Sequence, residues 1–404
     1  MVFLAVGIPV ALAGALIGFL GFWYLSGVTV SFAFIGLIPY SKIAFYGMTV
    51  LPLFVIMGYF AFYAGVATQA FETGKRWLGH IPGGLALATV MAQAAFGACC
   101  GLSTAAAAIF SKFSLPEMEK LHYERGFAAG VVAGSGTLAA MIPPSGIMVI
   151  YGIMAEVSIG RLLIGGFFPG FLTAALFGIM LYIRVKRNPS LTGGLMPPYP
   201  WRERLRSLPQ MWGVLVIGTA IIGGIYLGVF TPTEAGAIAA FVALVLLLIR
   251  RGGGKWANLR DSLLDTGRTT AMVLLLMAGV AIFGHFVVMS RLSYWIGDWI
   301  GRLGVNRYMI LSAIMLFYII LGCFLDPISM LIISIPVVLP IIISLGFDLI
   351  WFGVCVTKTV EIGMITPPVG INVYVVKGIA PHIPMEDIFR GIFWFFIMDL
   401  VALV

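Results

Sequence analysis

Charged residues are scarce in this sequence. They make up 10% of its 404 residues, whereas hydrophobic residues make up 61% and the mean hydropathy is +1.07. Because soluble domains carry about 25% charged residues, the composition excludes a soluble globular enzyme and indicates a protein that crosses the lipid bilayer many times. The net charge of +8 therefore reflects basic cytoplasmic loops and not a nucleic-acid partner.

Cysteine and histidine are also sparse, with four residues each. No cysteine pair has CxxC spacing and the histidines are scattered, which argues against disulfides and a zinc site. The GxG at Gly134–Gly136 completes no GxGxxG, and no ATP-binding loop is present, so the energy source has to be an ion gradient or another subunit. No cleavable signal peptide is visible, because the apolar run Met1–Leu25 is too long and lacks a basic start.

Two apolar segments, Gly130–Gly146 and Glu361–Gly370, combine a Gly-rich, Ser/Thr-bearing stretch with a Pro-Pro pair. Proline lacks the backbone N–H donor and clashes with the preceding turn, so neither helix can continue through its pair. Unwound backbone at membrane depth has to be buried in protein or line a cavity, and paired broken helices are typical of transporter binding sites. The alternative is a pair of proline kinks that only bend the helices.

Two further apolar stretches are interrupted by polar residues. Gly83–Phe113 is broken at Gly97–Thr104, and Tyr308–Ser344 is broken at Gly322–Ser329. The halves of the first stretch hold about 14 and 10 residues, too few to cross a hydrocarbon core of about 30 Å. We therefore predict two re-entrant hairpins.

The two halves of the chain align at an offset of 223 to 225 residues. An additional span, Trp212–Phe230, separates them, so the second half enters the membrane in the opposite sense. This predicts an all-α, inverted-repeat transporter with a first repeat at 1–186, a connecting loop and span at 187–230 and a second repeat at 231–404. The matched pairs are Pro9 with Pro232, Gly97 with Gly322, Thr104 with Ser329, Pro116 with Pro340, Pro143-Pro144 with Pro367-Pro368, and Gly146 with Gly370.

A loop with six basic residues and one acid, Arg184–Arg206, sets the predicted orientation, since the positive-inside rule makes it cytoplasmic. One hairpin then opens to the cytoplasm and the other to the outside. The final apolar run, Gly391–Val404, is about 21 Å long and too short for a span, so we expect the natural chain to continue past Val404. The remaining predicted elements are interfacial arms at Val30–Phe45, Ser158–Leu163 and Met385–Arg390, an interfacial turn at Ala70–His80, an amphipathic helix at Ser290–Asn306, and the hairpins and broken helices within 83–155 and 307–378.

Unwound helices and hairpin tips supply carbonyl and hydroxyl oxygens, which can hold a small cation. The half-helix amino ends that follow the breaks suit an anionic substrate. The predicted cation ligands are Ser103, Thr104, Gly134, Ser135, Gly136 and Thr137 in the first half, and Gly322, Asp326, Ser329, Gly363 and Thr366 in the second. The predicted substrate contacts are Ser103, Ser145, Pro143, Pro144, Pro367, Pro368 and Asn372.

Some of these positions have alternative interpretations. Asp326, the only carboxylate in the middle of an apolar hairpin, either binds the cation or caps the helix that starts at Pro327, or does both. Lys358 and Glu361 are three residues apart, which favours a local ion pair. Ser135 between two glycines is also typical of a hydrolase nucleophile, but without a partnered histidine we predict no enzyme. An ion channel would not need two inverted broken helices.

Several motifs, in order along the chain, are similar to those of a known family. They are Phe127–Leu138 with Ile142–Ser145, Phe230–Ala235 and Glu361–Asn372, supported by Pro52–Gly58, Pro82–Leu85 and Gly322–Asp326. Over essentially its whole length the sequence resembles the large membrane subunit of tripartite ATP-independent periplasmic (TRAP) transporters.

The resemblance implies an elevator transporter of the bacterial inner membrane that is driven by a sodium gradient. Its substrate would be an organic acid, such as a C4-dicarboxylate or a sialic acid, delivered by a periplasmic substrate-binding protein. A small four-helix membrane subunit would be the scaffold partner. Sodium would be held by Ser103, Gly134–Thr137, Asp326 and Thr366.

Two stretches depart from the family pattern. Cys99-Cys100 occupies the first hairpin tip, where Ser or Gly is common, and Thr357–Thr359 includes a lysine where a less charged stretch is usual. The first departure concerns the cation ligands, and the second concerns substrate choice or subunit contact. The alternative function is a stand-alone sodium/carboxylate symporter that works without a binding protein.

Overall fold

The computed structural model describes residues 9–249, 254–292, 295–296 and 304–404. These residues form α-helices joined by short 3₁₀ turns and loops, with no β-strand among them. The helices of the first half are α1 (Val10–Ser26), α2 (Val28–Ile43), α3 (Val50–Tyr63), α4 (Val66–Leu78), α5 (Gly84–Cys100), α6 (Ser103–Lys120), α7 (Arg125–Ser135), α8 (Leu138–Met141), α9 (Gly146–Met154) and α10 (Ile159–Arg187). They are followed by α11 (Trp201–Ser207), α12 (Trp212–Tyr226), α13 (Pro232–Ile249), α14 (Lys255–Met289), α15 (Arg307–Gly322), α16 (Pro327–Ser344), α17 (Leu349–Ile365), α18 (Ile371–Ile379) and α19 (Met385–Leu403).

Helices are interrupted at both Pro-Pro pairs, as the sequence predicts. In broken helix 1 (α7, α8 and α9), α8 ends at Met141 and α9 begins at Gly146, with a bend of 42°. In broken helix 2 (α17 and α18), the interruption runs from Thr366 to Gly370. Within the described ranges, six helical segments are long and apolar enough to cross a membrane, or seven if broken helix 1 counts as one span. The chain is therefore an all-α, multi-pass membrane protein.

Two pairs of helices form hairpins whose outer ends lie together. In hairpin 1 (α5 and α6), the backbone N–H of Leu85 donates to the Tyr123 hydroxyl at 3.3 Å. In hairpin 2 (α15 and α16), the rings of Tyr308 and Phe347 are 5.8 Å apart. The limbs of hairpin 1 hold 17 and 18 residues, so the predicted lengths of 14 and 10 were too short. Helical structure continues to Cys100 in one limb and to Lys120 in the other.

The base of each hairpin is the end opposite its tip, where the outer ends of its two helices lie together. The two bases lie at opposite ends of α10, which is about 43 Å long. At the end that leads into the basic loop, the N–H of Glu124, just after hairpin 1, donates to the Leu191 carbonyl at 3.0 Å. Near the other end, a Cβ at Gly165 of α10 would lie 3.7 Å from the Ile350 side chain, just after hairpin 2, and the Tyr151 hydroxyl of the preceding α9 donates to the Leu349 carbonyl at 2.7 Å.

At the base of hairpin 1, Glu117 accepts hydrogen bonds from Lys120 and from Lys75 of α4, both at 2.7 Å. These bonds hold the pKa of Glu117 below its ordinary value. They also join the base of the hairpin to the preceding helix.

Several predicted interfacial elements are parts of longer helices. The predicted arms at Ser158–Leu163 and Met385–Arg390 are the first turns of α10 and α19, and the predicted turn at Ala70–His80 lies largely in α4. No residue after either arm stops the helix, since glycine is tolerated in membrane helices and Pro169 is accommodated within α10. The connecting span ends at Tyr226 and not at Phe230. Much of the predicted amphipathic helix at 290–306 lies outside the described residues.

The buried apolar residues divide into one large and two small clusters. The large cluster holds residues of both hairpins and both broken helices. The small ones hold residues of α1, α2 and α14, which pack on one another, and one of these clusters also includes Leu51 of α3, Ile150 of α9 and Ile332 of α16. In the large cluster α7 and α19 cross in close contact at Gly126 and Gly391. A side chain at Gly391 would collide with the backbone of Gly126, so the close crossing depends on glycine. The hairpins and broken helices therefore share one packed unit.

Candidate functional site

The tip of hairpin 1 lies against the interruption of broken helix 1. The N–H of Gly146 donates to the Gly101 carbonyl at 3.2 Å. Gly101 has a φ of +66°, and a Cβ at this position would lie 2.6 Å from the Pro144 carbonyl oxygen. Glycine is therefore required here both by the backbone conformation and by the close approach.

Ser103, the first residue of α6, contacts both broken helices. Its carbonyl oxygen would lie 3.3 Å from a Cβ at Gly136 in broken helix 1. Its buried hydroxyl donates to Oε1 of Glu361 in broken helix 2 at 3.1 Å. Thr104 follows in the same turn and is half-buried. The hairpin tip is thus the point where the two broken helices are joined.

Two buried amide side chains also join segments around broken helix 1. Gln93 of hairpin 1 donates to the Val132 carbonyl at 3.1 Å, and Asn372 of α18 donates to the Ala133 carbonyl at 3.5 Å. The remaining oxygens of Gln93, Asn372 and Glu361 are buried and have no hydrogen-bond partner among the described residues. Buried oxygen acceptors without a donor suit a bound cation or the donor groups of a ligand.

The predicted hydroxyl ligands are oriented by local hydrogen bonds. Thr137 donates to the Gly134 carbonyl at 2.8 Å, Thr366 donates to the Ile362 carbonyl at 2.6 Å, and Ser135 donates to the Val131 carbonyl. Each hydroxyl has one proton, so these bonds leave the oxygen lone pairs free to coordinate a cation. Gly134 itself packs against the ring of Phe395 in α19.

The tip of hairpin 2 forms a second group with broken helix 2. A Cβ at Gly322 would lie 2.9 Å from the Cα of Gly363, so the two backbones are in close contact. The half-buried Asp326 caps α16, because its Oδ2 accepts from the N–H of the buried Ser329 at 3.0 Å. The capping interpretation of Asp326 is confirmed, and its role as a cation ligand stays a prediction.

The two interruptions differ in exposure. Pro143, Pro144 and Ser145 are buried, whereas Pro367 and Pro368 are exposed. The Ser145 hydroxyl caps α9 by accepting from the N–H of Met148 at 3.3 Å. The predicted substrate contacts therefore divide into a buried group and an exposed group.

The predicted ion pair between Lys358 and Glu361 is wrong. The Lys358 ammonium instead contacts the Asp399 carboxylate of α19 and donates to the Thr173 hydroxyl of α10 at 3.0 Å. Lys358, Glu361 and Asp399 are all buried. Asp399 is not among the residues predicted from the sequence, although an acid within the apolar run Gly391–Val404 is itself a signal.

Comparison with known proteins identifies the family. The sequence model of the "Tripartite ATP-independent periplasmic transporter, DctM component" matches residues 1–404. The chain is 35% identical over 363 residues to the C4-dicarboxylate TRAP transporter large permease protein of Pseudomonas aeruginosa, covering 89% of this chain and 83% of that protein. It is 32% identical over 357 residues to the sialic acid TRAP transporter large permease protein of Vibrio cholerae, covering 87% and 83%.

A solved structure shows a related fold. The YdaH transporter of Alcanivorax borkumensis superimposes with a TM-score of 0.56 at 14% sequence identity, covering 93% of this chain and 87% of that one. At that identity the likeness concerns the fold alone. The match to the family model over all 404 residues, together with the relatives above 30% identity, shows that this chain belongs to the DctM component family of TRAP transporters.

Proposed function

We propose that this chain is the large permease of a sodium-driven transporter in a bacterial inner membrane. It takes up an organic acid that a periplasmic substrate-binding protein delivers, and a small four-helix membrane subunit assists it. Its family membership supports this proposal, as do relatives named for C4-dicarboxylates and sialic acid. The shared feature of such substrates is a carboxylate.

The observation that carries the proposal is the meeting of hairpin 1 with both broken helices. Gly101 contacts Gly146, Ser103 contacts Glu361, and Asn372 contacts Ala133. Residues far apart in the chain thus place hydroxyls, carbonyls and unpartnered buried oxygens in contact with two helix interruptions. The amino ends of α9 and α18 begin at these interruptions, and the positive end of each helix dipole favours an anion. Sodium and a carboxylate are the ligands that this chemistry suits.

An elevator mechanism is supported by the way the helices pack. The hairpins and broken helices share one large apolar cluster, to which α3, α10, α12 and α13 also contribute. Among the described residues, α1 and α2 contribute to the small clusters and not to the large one. The bases of the two hairpins lie at opposite ends of α10, which is the arrangement expected of an inverted repeat. The hairpins and broken helices would be the moving unit, and the arms and remaining spans would be the static scaffold.

Uptake of labelled carboxylates into proteoliposomes tests the function. The vesicles would contain this chain and its small subunit, with an inward sodium gradient and with the binding protein present or absent. We expect uptake only when sodium and the binding protein are both present. Uptake without the binding protein would instead support a stand-alone sodium/carboxylate symporter, and uptake without sodium would contradict the coupling.

Two substitutions test the cation sites. Asparagine is also a good N-cap, so Asp326→Asn keeps a cap for α16 while it removes the charge. We expect this variant and Thr137→Ala to raise the sodium concentration for half-maximal uptake by about tenfold, because each loses a ligand worth about 1.4 kcal/mol.

The matched control for Asp326→Asn is Asp348→Asn, which changes the cap of α17 outside the predicted site. Melting temperatures would show that all three variants are folded. An unchanged sodium dependence in both site variants would refute the assignment of these ligands.

A further inference from the structure

A cavity of about 920 Å³ lies outside the candidate site, beside the first turn of α10. Charged residues from three places line it: Lys42 at the end of α2, Glu156 after α9, and Arg161 in α10. The other end of α10 leads into the basic loop that is predicted to be cytoplasmic. The cavity therefore opens at the outer face of the membrane.

The three charged side chains are exposed and are not paired with one another. Within the described parts of the chain, neither the Lys42 ammonium, the Arg161 guanidinium nor the Glu156 carboxylate has a hydrogen bond or an ion pair. Two cations and one acid around a common space can hold a group that carries both signs of charge. A phosphate beside an ammonium is such a group.

Two apolar grooves continue from this cavity. The first shares Ile164 and Ile225 with it, runs between α10 and α12, and has a volume of about 230 Å³. Its wall includes Phe168 and Tyr226, which are 74% and 71% exposed. Such exposed aromatic residues face lipid in a membrane helix pair.

The second groove leaves in another direction and has a volume of about 380 Å³. It shares Lys42, Met48 and Ile153 with the cavity, and it continues along α14 and α16 past Val280 and Ile332. The cavity with its charged lining residues therefore connects to two apolar grooves.

We propose that this cavity and its two grooves bind one phospholipid of the outer leaflet with an ethanolamine headgroup. The phosphate lies between Lys42 and Arg161, the ammonium faces Glu156, and each acyl chain occupies one groove. The two grooves match two acyl chains, and the mixed charges of the cavity match a zwitterionic headgroup. A free carboxylate would use the cations but neither groove. A transmembrane helix of a partner protein fits less well, because it would bury the three charged side chains and would have to supply polar groups to pair with them.

Native mass spectrometry of the purified full-length chain tests the site. The protein is stripped of lipid with detergent and titrated with phosphatidylethanolamine or phosphatidylglycerol. We expect one phosphatidylethanolamine per chain to bind most tightly. Lys42→Ala/Arg161→Ala should weaken its binding by about tenfold or more, because charge-assisted hydrogen bonds to the phosphate are lost. Glu156→Gln should remove the preference for phosphatidylethanolamine over phosphatidylglycerol.

The control variant, Arg202→Ala/Arg206→Ala, removes the same charge from the basic loop, and it should bind lipid as the natural protein does. Soluble glycerophosphoethanolamine and inorganic phosphate separate a lipid site from a site for free phosphate. Competition by either at millimolar concentration would overturn the proposal. Equal lipid binding by the natural protein and Lys42→Ala/Arg161→Ala would also overturn it. A third outcome concerns a preparation purified together with the small subunit. If Lys42→Ala/Arg161→Ala lost the small subunit but retained its lipid, the cavity would be a subunit contact and the proposal would be overturned.

Discussion

Replacing Lys358 with methionine is expected to destabilise the protein by about 3–5 kcal/mol. Asp399 is 0% exposed, one of its oxygens has no hydrogen-bond partner among the described residues, and Lys358 donates the only hydrogen bond that the other accepts from them. Removing the ammonium leaves a carboxylate buried at membrane depth without a counter-charge, which is costly. The melting temperature in detergent and the yield of monodisperse protein should both fall.

A second variant separates the lost charge from lost packing. In Lys358→Met/Asp399→Leu both partners become apolar, and such exchanges of buried ion pairs are often neutral or stabilising. We expect the double variant to regain most of the stability. Lys120→Met is the matched control, because this lysine is 71% exposed, and its ion pair with Glu117 is worth about 1 kcal/mol at most. A single Lys358→Met variant that melts like the natural protein would show that the pair does not stabilise the fold.

The positions of the helix breaks could be predicted because they have local causes. Single prolines such as Pro169 are accommodated within a helix, but two successive prolines remove two backbone donors, so Pro143-Pro144 and Pro367-Pro368 end helices. The arms could not be predicted as separate elements, because nothing at Gly165 or Gly391 prevents α10 and α19 from continuing. The polar interruption of the apolar stretch was also a poor guide to the length of the helices in hairpin 1, because α5 continues to Cys100.

The partners of the buried charges depend on contacts that no local pattern contains. Spacing along a helix suggested Lys358 with Glu361, yet Glu361 accepts from Ser103, 258 residues away, and Lys358 contacts Asp399, 41 residues away. The repeat indicated which segments form the site, and tertiary packing decides which side chains meet. Asp326 was predictable in one respect, since Asp followed by Pro is a favourable helix start whatever lies nearby.

Replacing Gly101 with alanine is expected to reduce uptake in the proteoliposome assay by about tenfold or more, since a cost of about 1.4 kcal/mol at the site already gives a factor of ten. Two effects add. At a φ of +66° a non-glycine residue is strained by about 1–2 kcal/mol. The new Cβ would also lie 2.6 Å from the Pro144 carbonyl and 3.0 Å from the Gly146 nitrogen, so the backbone of the hairpin tip has to move.

Gly228→Ala is the control that separates these effects. Gly228 has a φ of +70°, nearly that of Gly101, but a Cβ at this position would meet no atom within 4 Å beyond its chain neighbours. This variant should therefore show a lower melting temperature from strain alone, with uptake largely kept. In Gly101→Ala the displaced tip should also weaken the contact of Ser103 with Glu361, so uptake should fall by more than the change in melting temperature explains. Equal uptake by the two variants would mean that transport does not require the close contact between hairpin 1 and broken helix 1.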